Sequence, residues 1–201
     1  MALLLEPLLP PPQIQAINAA LGQAGPEAWR DGGETAGWHA RGVKHNHQLD
    51  RSSALHQELS ESIREHLLRH PLVQATAFPR RIHGLLFSRS GIGEGYGRHV
   101  DNAFMAHGRA DVSFTVFLTD PDSYGGGSLM LEGPEGETAI RLKAGSVIPS
   151  TRARWLSFFL TNCYETGRPP ALFLAACTGS LSMYSSRRPS AGIFGWWPAR
   201  S

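Results

Sequence analysis

The chain has 201 residues, of which 41% are hydrophobic and 18% are charged, and its formal net charge is +2. This length and apolar content suffice for one globular domain with its own core. The small net charge, without a basic cluster, excludes the strongly basic surface typical of nucleic-acid binding, and no apolar run reaches the length of a membrane span. We therefore expect no nucleic-acid partner and no membrane association, and the oligomeric state stays open.

The N-terminal segment MALLLEPLLPPPQ has an apolar run but does not match a secretory signal peptide. No basic residue precedes the run, and Glu6 and Pro7 interrupt it. We interpret the segment as a strand followed by the start of a helix. The two cysteines, Cys163 and Cys177, are too few for a disulfide framework and do not form a C-x-x-C pair. These features predict a reducing compartment and a cytoplasmic location.

Two amphipathic helices are predicted in the first 80 residues. The apolar residues at helical spacing are Ile14, Ile17 and Leu21 in the first helix and Leu55, Leu59, Ile63 and Leu67 in the second. Ser52 or Ser53 is suited to cap the second helix, and Pro71 is suited to end it. Between the helices, the glycine-rich segment 31–37 predicts turns. Both helices are expected to pack an apolar face on the core.

Beyond residue 80 the pattern changes to short strands. Residues 112–118 alternate between apolar and polar side chains, which predicts a strand with one buried face. Further short strands between turns are predicted at 82–87, 128–131, 138–142 and 145–148. The glycine-rich segment 90–97 predicts a connection. Helices followed by many short strands predict a mainly β fold, an antiparallel sandwich or jelly roll with the N-terminal helices packed on one sheet.

The predicted elements divide the chain into three regions. We expect an N-terminal helical region at 1–80 packed on the core, a jelly-roll core at 81–178 and a tail of doubtful order at 179–201. The composition shifts before the last of these regions begins. After residue 151 the chain has one acidic residue, Glu165, and neither lysine nor histidine.

His99 and Asp101 form an H-x-D motif in the stretch RHVDNAF. On a strand, residues two positions apart face the same side, so this imidazole and carboxylate could bind one ion. Two histidines and one carboxylate, with other coordination positions open, are the arrangement of non-haem Fe(II) oxygenases. H-x-D also fits a polar pair at the end of a surface strand, so the motif by itself leaves both interpretations open.

Three stretches together resemble the bacterial PKHD-type hydroxylases: YGRHVDNAF, RADVSFTVFLTDPDSYGGGSLMLE and LKAGSVIPST. The segment DGGETAGWHARGVKHNHQL is similar to the N-terminal region of that family, and the resemblance covers roughly residues 10 to 151. It implies a double-stranded β-helix (jelly roll) with flanking helices. It also implies a dioxygenase that couples decarboxylation of 2-oxoglutarate to hydroxylation of a substrate. The implied cofactors are Fe(II) and ascorbate, and the implied partners are 2-oxoglutarate, dioxygen and an unknown substrate.

The same resemblance assigns roles to individual residues. His99 and Asp101 take the place of the first two iron ligands. Arg154 stands where the third ligand, a histidine, is expected, and a guanidinium has no lone pair to offer a cation. The chain has no histidine after His107. The family's arginine for the distal carboxylate of 2-oxoglutarate corresponds to Arg168, which also fits an ordinary loop arginine.

The resemblance ends near Thr151, where the composition changes. A shifted reading frame or a divergent replacement of the C-terminal part would both explain this change. Three hypotheses stay open: an enzyme whose third iron ligand is water or another group, an impaired or truncated relative that acts only as a binding protein, and a cupin-like jelly roll that never used iron.

Overall fold

The computed structural model describes residues 7–37, 40–99, 101, 104–105, 108–133, 136–151, 157–160 and 170–180. The helices in this part of the chain are α1 Pro11–Gln23, α2 Gly32–Thr35, α3 Ala54–Arg69 and α4 Pro71–Ala77. The strands are β1 Trp29–Asp31, β2 Lys44–His45, β3 His47–Leu49, β4 Pro79–Ser90, β5 Gly95–His99, β6 Phe104–Met105, β7 Gly108–Arg109, β8 Val112–Phe117, β9 Leu129–Gly133, β10 Gly136–Ile140, β11 Val147–Thr151, β12 Ser157–Leu160 and β13 Ala171–Ser180.

Both predicted helices are confirmed as α1 and α3. The Ser53 hydroxyl accepts a hydrogen bond from the His56 backbone N–H at 3.1 Å, so Ser53 is the N-cap of α3. Pro71 follows the end of α3, as predicted, but it also starts α4. Proline is suited to a first helical position because its missing N–H would have no partner there.

The prediction of turns over segment 31–37 is wrong in part. Residues 29–31 form β1, and α2 follows directly. The Asp31 carboxylate accepts a hydrogen bond from the Gly33 backbone N–H at 2.6 Å, which caps this short helix. The connection predicted at 90–97 is also shorter than expected, because β5 begins within it at Gly95.

Two antiparallel sheets form a double-stranded β-helix, as predicted. The six-stranded sheet has the order β1-β3-β4-β13-β8-β11, and the five-stranded sheet has the order β10-β9-β12-β5-β2. Three short strands from the first 80 residues join these sheets, β1 and β3 in the larger and β2 in the smaller. The N-terminal region therefore supplies strands as well as helices.

The buried apolar residues form two clusters on opposite sides of the six-stranded sheet. The helix-side core joins α1, α3 and α4 to this sheet and includes Ile17, Ile63, Leu67, Val73, Phe87, Val116 and Leu174. The inter-sheet core joins the two sheets and consists of Phe117, Tyr124, Leu129, Leu131, Ile140, Ile148, Ala171 and Phe173. The helices thus cover one face of the larger sheet, and the other face packs on the smaller sheet. No helix among the described residues has both the length and the apolar content needed to cross a membrane.

Candidate functional site

His99 and Asp101 lie together at the end of β5. The Nε2 atom of His99 is 3.6 Å from Oδ1 of Asp101. His99 is the last residue of β5, so Asp101 lies just beyond the strand and not within it as the motif suggested. The side chain of His99 is 11% exposed and that of Asp101 is 32% exposed, so both are partly accessible to solvent.

An irregularity in strand pairing places a tyrosine against His99. Phe158 pairs with His99 and Leu160 pairs with Tyr96, so a three-residue step on β5 lies opposite a two-residue step on β12. Such a β-bulge lets residues three apart face the same side of a strand. The rings of Tyr96 and His99 are stacked, with centroids 3.7 Å apart and planes 14° apart. Burial, aided by the Asp101 charge, raises the pKa of Tyr96 to about 12, so the phenol stays protonated.

A backbone hydrogen bond determines which nitrogen of His99 carries the proton. Nδ1 of His99 lies 2.9 Å from the Gly97 carbonyl, which can only accept, so Nδ1 is the donor. In the neutral imidazole the lone pair is therefore on Nε2, the atom that faces Asp101. Metal–ligand distances of about 2.0–2.2 Å would allow one ion to contact both Nε2 and Oδ1. The two residues thus fit two positions of an iron site.

The third protein ligand is not found in the described part of the chain. No group of three or more His, Cys, Asp or Glu side chains that could hold a metal ion occurs among those residues. Arg154, His107 and Arg168 all lie outside the described residues. The predicted substitution at the third ligand position and the predicted role of Arg168 in 2-oxoglutarate binding therefore stay predictions.

Lys44 is a buried cation beside this pair that the sequence interpretation missed. Lys44 of β2 pairs with Tyr96 of β5, and it is 5% exposed. Its Nζ atom is 5.0 Å from the centroid of the Tyr96 ring. Burial is the main cause that lowers the pKa of Lys44 to about 8, the charge of Arg51 adds to this effect, and Asp101 opposes it. The signal that could have drawn attention to Lys44 is the scarcity of lysine, since the chain has only two.

A chain of hydrogen bonds connects Lys44 to the larger sheet. The ammonium donates to the Thr35 hydroxyl at 3.3 Å, and this hydroxyl in turn makes a short hydrogen bond to the side-chain carbonyl of Gln48. The amide nitrogen of Gln48 donates to the Ser88 hydroxyl at 3.4 Å. The side chains of Lys44, Thr35, Gln48 and Ser88 therefore link β2, α2, β3 and β4.

Comparison with known proteins identifies the family. No family model matches the chain. A PKHD-type hydroxylase of Prochlorococcus marinus (strain MIT 9313) is 48% identical over 150 residues, which cover 74% of this chain and 67% of that protein. The chain belongs to the PKHD-type hydroxylase family. PKHD-type hydroxylases depend on Fe(II) and 2-oxoglutarate, so the resemblance identified from the motifs is confirmed.

Solved structures with low sequence identity agree on the fold. A Pseudomonas putida prolyl-4-hydroxylase has a TM-score of 0.62 and 16% identity, and the match covers 86% of this chain and 89% of that one. A viral collagen prolyl hydroxylase from Paramecium bursaria Chlorella virus-1, solved in complex with 2-oxoglutarate, has a TM-score of 0.53 and 14% identity, with 88% and 94% covered. Together with the PKHD-type relatives, these structures argue against the cupin-like alternative.

Proposed function

We propose that this PKHD-family chain binds Fe(II) through His99 and Asp101 and hydroxylates a substrate at the end of β5. The observation that supports the proposal is the approach of His99 Nε2 to Asp101 Oδ1 at 3.6 Å, with the imidazole tautomer set by the Gly97 carbonyl. The iron, when bound, supplies the activation of dioxygen and the oxidation of the substrate. The protein holds the ligands in place and shields them through the stacked Tyr96 ring.

The remaining parts of the proposal come from family membership. Arg168 binds the distal carboxylate of 2-oxoglutarate, because a guanidinium can pair with a carboxylate through two hydrogen bonds. Ascorbate keeps the iron reduced. The jelly-roll core at 81–178 contains the metal ligands, and the region at 1–80 packs on it and contributes Lys44. A cytoplasmic location is also part of the proposal, because two cysteines are too few for a disulfide framework.

A second candidate function is a binding protein without hydroxylase activity. It is favoured by one observation, the lack of any histidine after His107. In that case the chain would bind a small acid or a partner, and its affinity for iron would be low because two protein ligands hold a metal less firmly than three.

Anaerobic titration with Fe(II), followed by addition of 2-oxoglutarate, tests the proposal. We expect a visible charge-transfer absorption when 2-oxoglutarate chelates the bound iron. Asp101→Asn should weaken iron binding by about tenfold or more, because it removes a charged ligand without changing the side-chain volume. Glu61→Gln is the matched control, since Glu61 is 80% exposed on α3 and far from the site in sequence. Unchanged iron affinity in Asp101→Asn would refute the site, and iron binding without the absorption would favour the second candidate.

A further inference from the structure

Lys44 brings a positive charge into the candidate site, and no described carboxylate forms an ion pair with it. It is 5% exposed, and no Asp or Glu oxygen among the described residues lies within ion-pair distance of its Nζ atom. Buried ammonium groups are normally paired with an anion, because desolvation of an unpaired charge is costly. Lys44 is buried beside a proposed metal site and has no ion-pair partner in the described part of the chain, which indicates a place for an anionic ligand.

The donors of Lys44 are only partly used by the protein. An ammonium group has three donors, and the contacts of Nζ in the described part of the chain are the Thr35 hydroxyl at 3.3 Å and the face of the Tyr96 ring. The Thr35 hydroxyl is itself held by its short hydrogen bond to Gln48. The chain of hydrogen bonds thus orients the ammonium group but does not neutralise its charge.

The charges around Lys44 favour an anion. Arg51 is the larger electrostatic influence on Lys44 and has the same sign. Asp101 has the opposite sign, but in the proposed function its carboxylate is shared with Fe(II). Tyr96 is uncharged. Arg51 is exposed, so water screens its charge and the buried ammonium group of Lys44 is the main cation. Because Asp101 would be shared with Fe(II), it would balance the charge of Lys44 only in part.

We propose that Lys44 binds a carboxylate group of the primary substrate, so that the hydroxylated molecule is an organic acid or a peptide with an accessible carboxylate. This assignment rests on the proposed function, in which the substrate lies beside His99 and Asp101. Lys44 lies on β2, at the edge of the smaller sheet. Arg168, the proposed partner of the distal carboxylate of 2-oxoglutarate, comes shortly before β13 in the sequence, and in the proposal Lys44 serves a second carboxylate. The distal carboxylate of 2-oxoglutarate is the other possible source, and the experiment separates the two.

Amine modification offers a direct test because Lys44 and Lys143 are the only lysines of the chain. Lys143 is exposed and serves as an internal reference. The metal-free full-length protein would be reductively methylated in a buffer that contains acetate, chloride, or chloride with acetamide, with the salts at equal ionic strength. Peptide mass spectrometry would then measure the extent of methylation at both lysines. We expect acetate, but not the uncharged acetamide, to slow modification of Lys44 several-fold and to leave Lys143 unchanged. Equal rates at Lys44 in acetate and acetamide would overturn the carboxylate site.

The source of the carboxylate is tested with 2-oxoglutarate and 2-oxopentanoate, which has a methyl group in place of the distal carboxylate. The affinity for each compound is measured with Fe(II) bound under anaerobic conditions. The wild type should bind 2-oxoglutarate more tightly than 2-oxopentanoate, and we expect Lys44→Met and the control Lys143→Met to keep this ratio of affinities. Acetate should still protect Lys44 in the wild type when 2-oxoglutarate is saturating. A decrease of about tenfold or more in that ratio in Lys44→Met alone would assign Lys44 to the co-substrate and overturn the substrate assignment.

Failure of the proposed function and failure of the carboxylate site at Lys44 give different results in these experiments. If the wild type binds no iron but acetate still protects Lys44, the iron assignment fails and the carboxylate site stands. If iron and 2-oxoglutarate bind but acetate gives no protection, the carboxylate site fails and the proposed function stands. Circular dichroism and the urea midpoint of Lys44→Met show whether the variant is folded, and the modification experiment on the wild type does not depend on that variant.

Discussion

His56 is a polar residue inside the packing of α3 against β4. Its Nε2 atom lies 3.0 Å from the Leu85 carbonyl and must donate to it, so its Nδ1 atom accepts from the Ser60 hydroxyl at 3.3 Å. The neutral imidazole satisfies both contacts. Burial is the main cause that lowers the pKa of His56 below 6.5, and the hydrogen bond to Leu85 opposes this shift.

The buried His56 predicts a loss of stability in acid. Because its pKa is lower in the folded protein, the unfolded chain binds the proton more tightly. The stabilising contribution is therefore complete above pH 6.5 and is lost as the pH falls below that value. Urea unfolding between pH 7 and about pH 5 should show a smaller decrease in the free energy of unfolding for His56→Gln than for the wild type. The exposed His45→Gln is the control, and equal decreases in the wild type and His56→Gln would contradict the assignment.

At the scale of elements, a close approach of β5 to the turn before β2 brings Lys44 and Tyr96 together. A Cβ atom added to Gly97 would lie 2.7 Å from Cβ of Val43 and 3.2 Å from the Val43 carbonyl oxygen. The absence of a side chain at Gly97 therefore lets the two segments pair at this distance. Gly97 also supplies the carbonyl that orients His99.

Gly97→Ala is expected to lower the free energy of unfolding by about 1–3 kcal/mol, because the new methyl group forces β5 away from Val43. Gly84→Ala is the matched control. Gly84 lies in β4, and a Cβ atom added there would meet nothing within 4 Å. This control should change stability by no more than about 0.5 kcal/mol in urea unfolding. Equal effects of the two substitutions would show that the close approach at Gly97 has no energetic consequence.

At the scale of the whole molecule, the inter-sheet core holds the two sheets together. Phe117 of β8 is fully buried, and its ring contacts that of Phe173 with centroids 5.4 Å apart at 70°. Such edge-to-face pairs add to the free energy gained by burying the rings. The same region supports the candidate site, because β5 and β12 belong to the sheet that packs here.

Phe117→Ala should destabilise the protein by about 3–5 kcal/mol, since a large buried ring is replaced by a cavity. Phe104→Ala is the comparison, because Phe104 is 67% exposed and its truncation should cost no more than about 0.5 kcal/mol. Chemical denaturation of the two variants measures the difference. Similar values for both would mean that the sheets do not depend on this contact.

Local patterns in the sequence were sufficient for several parts of the structure. The spacing of Ile63 and Leu67 predicted α3, and the alternation along 112–118 predicted β8. Two neighbouring serines were candidates for the start of α3, and the structure selects the second of them. Hydrophobic periodicity reports directly which face of an element is buried, so these predictions needed no information about distant residues. The turns predicted at 31–37 were wrong in part because Asp31 pairs with His47, sixteen positions away, and because residues 32–35 form α2.

The sequence by itself determined the family, the jelly-roll fold and the two candidate iron ligands, because the motif around His99 and Asp101 and the strands after it are local patterns. Only the tertiary structure decided what surrounds these ligands. The bulge that stacks Tyr96 on His99 requires β12, and the burial of Lys44 requires the pairing of β2 with β5. A lysine side chain is normally solvated. Lys44 becomes a candidate ligand site because strands distant in sequence enclose it and no carboxylate among the described residues forms an ion pair with it.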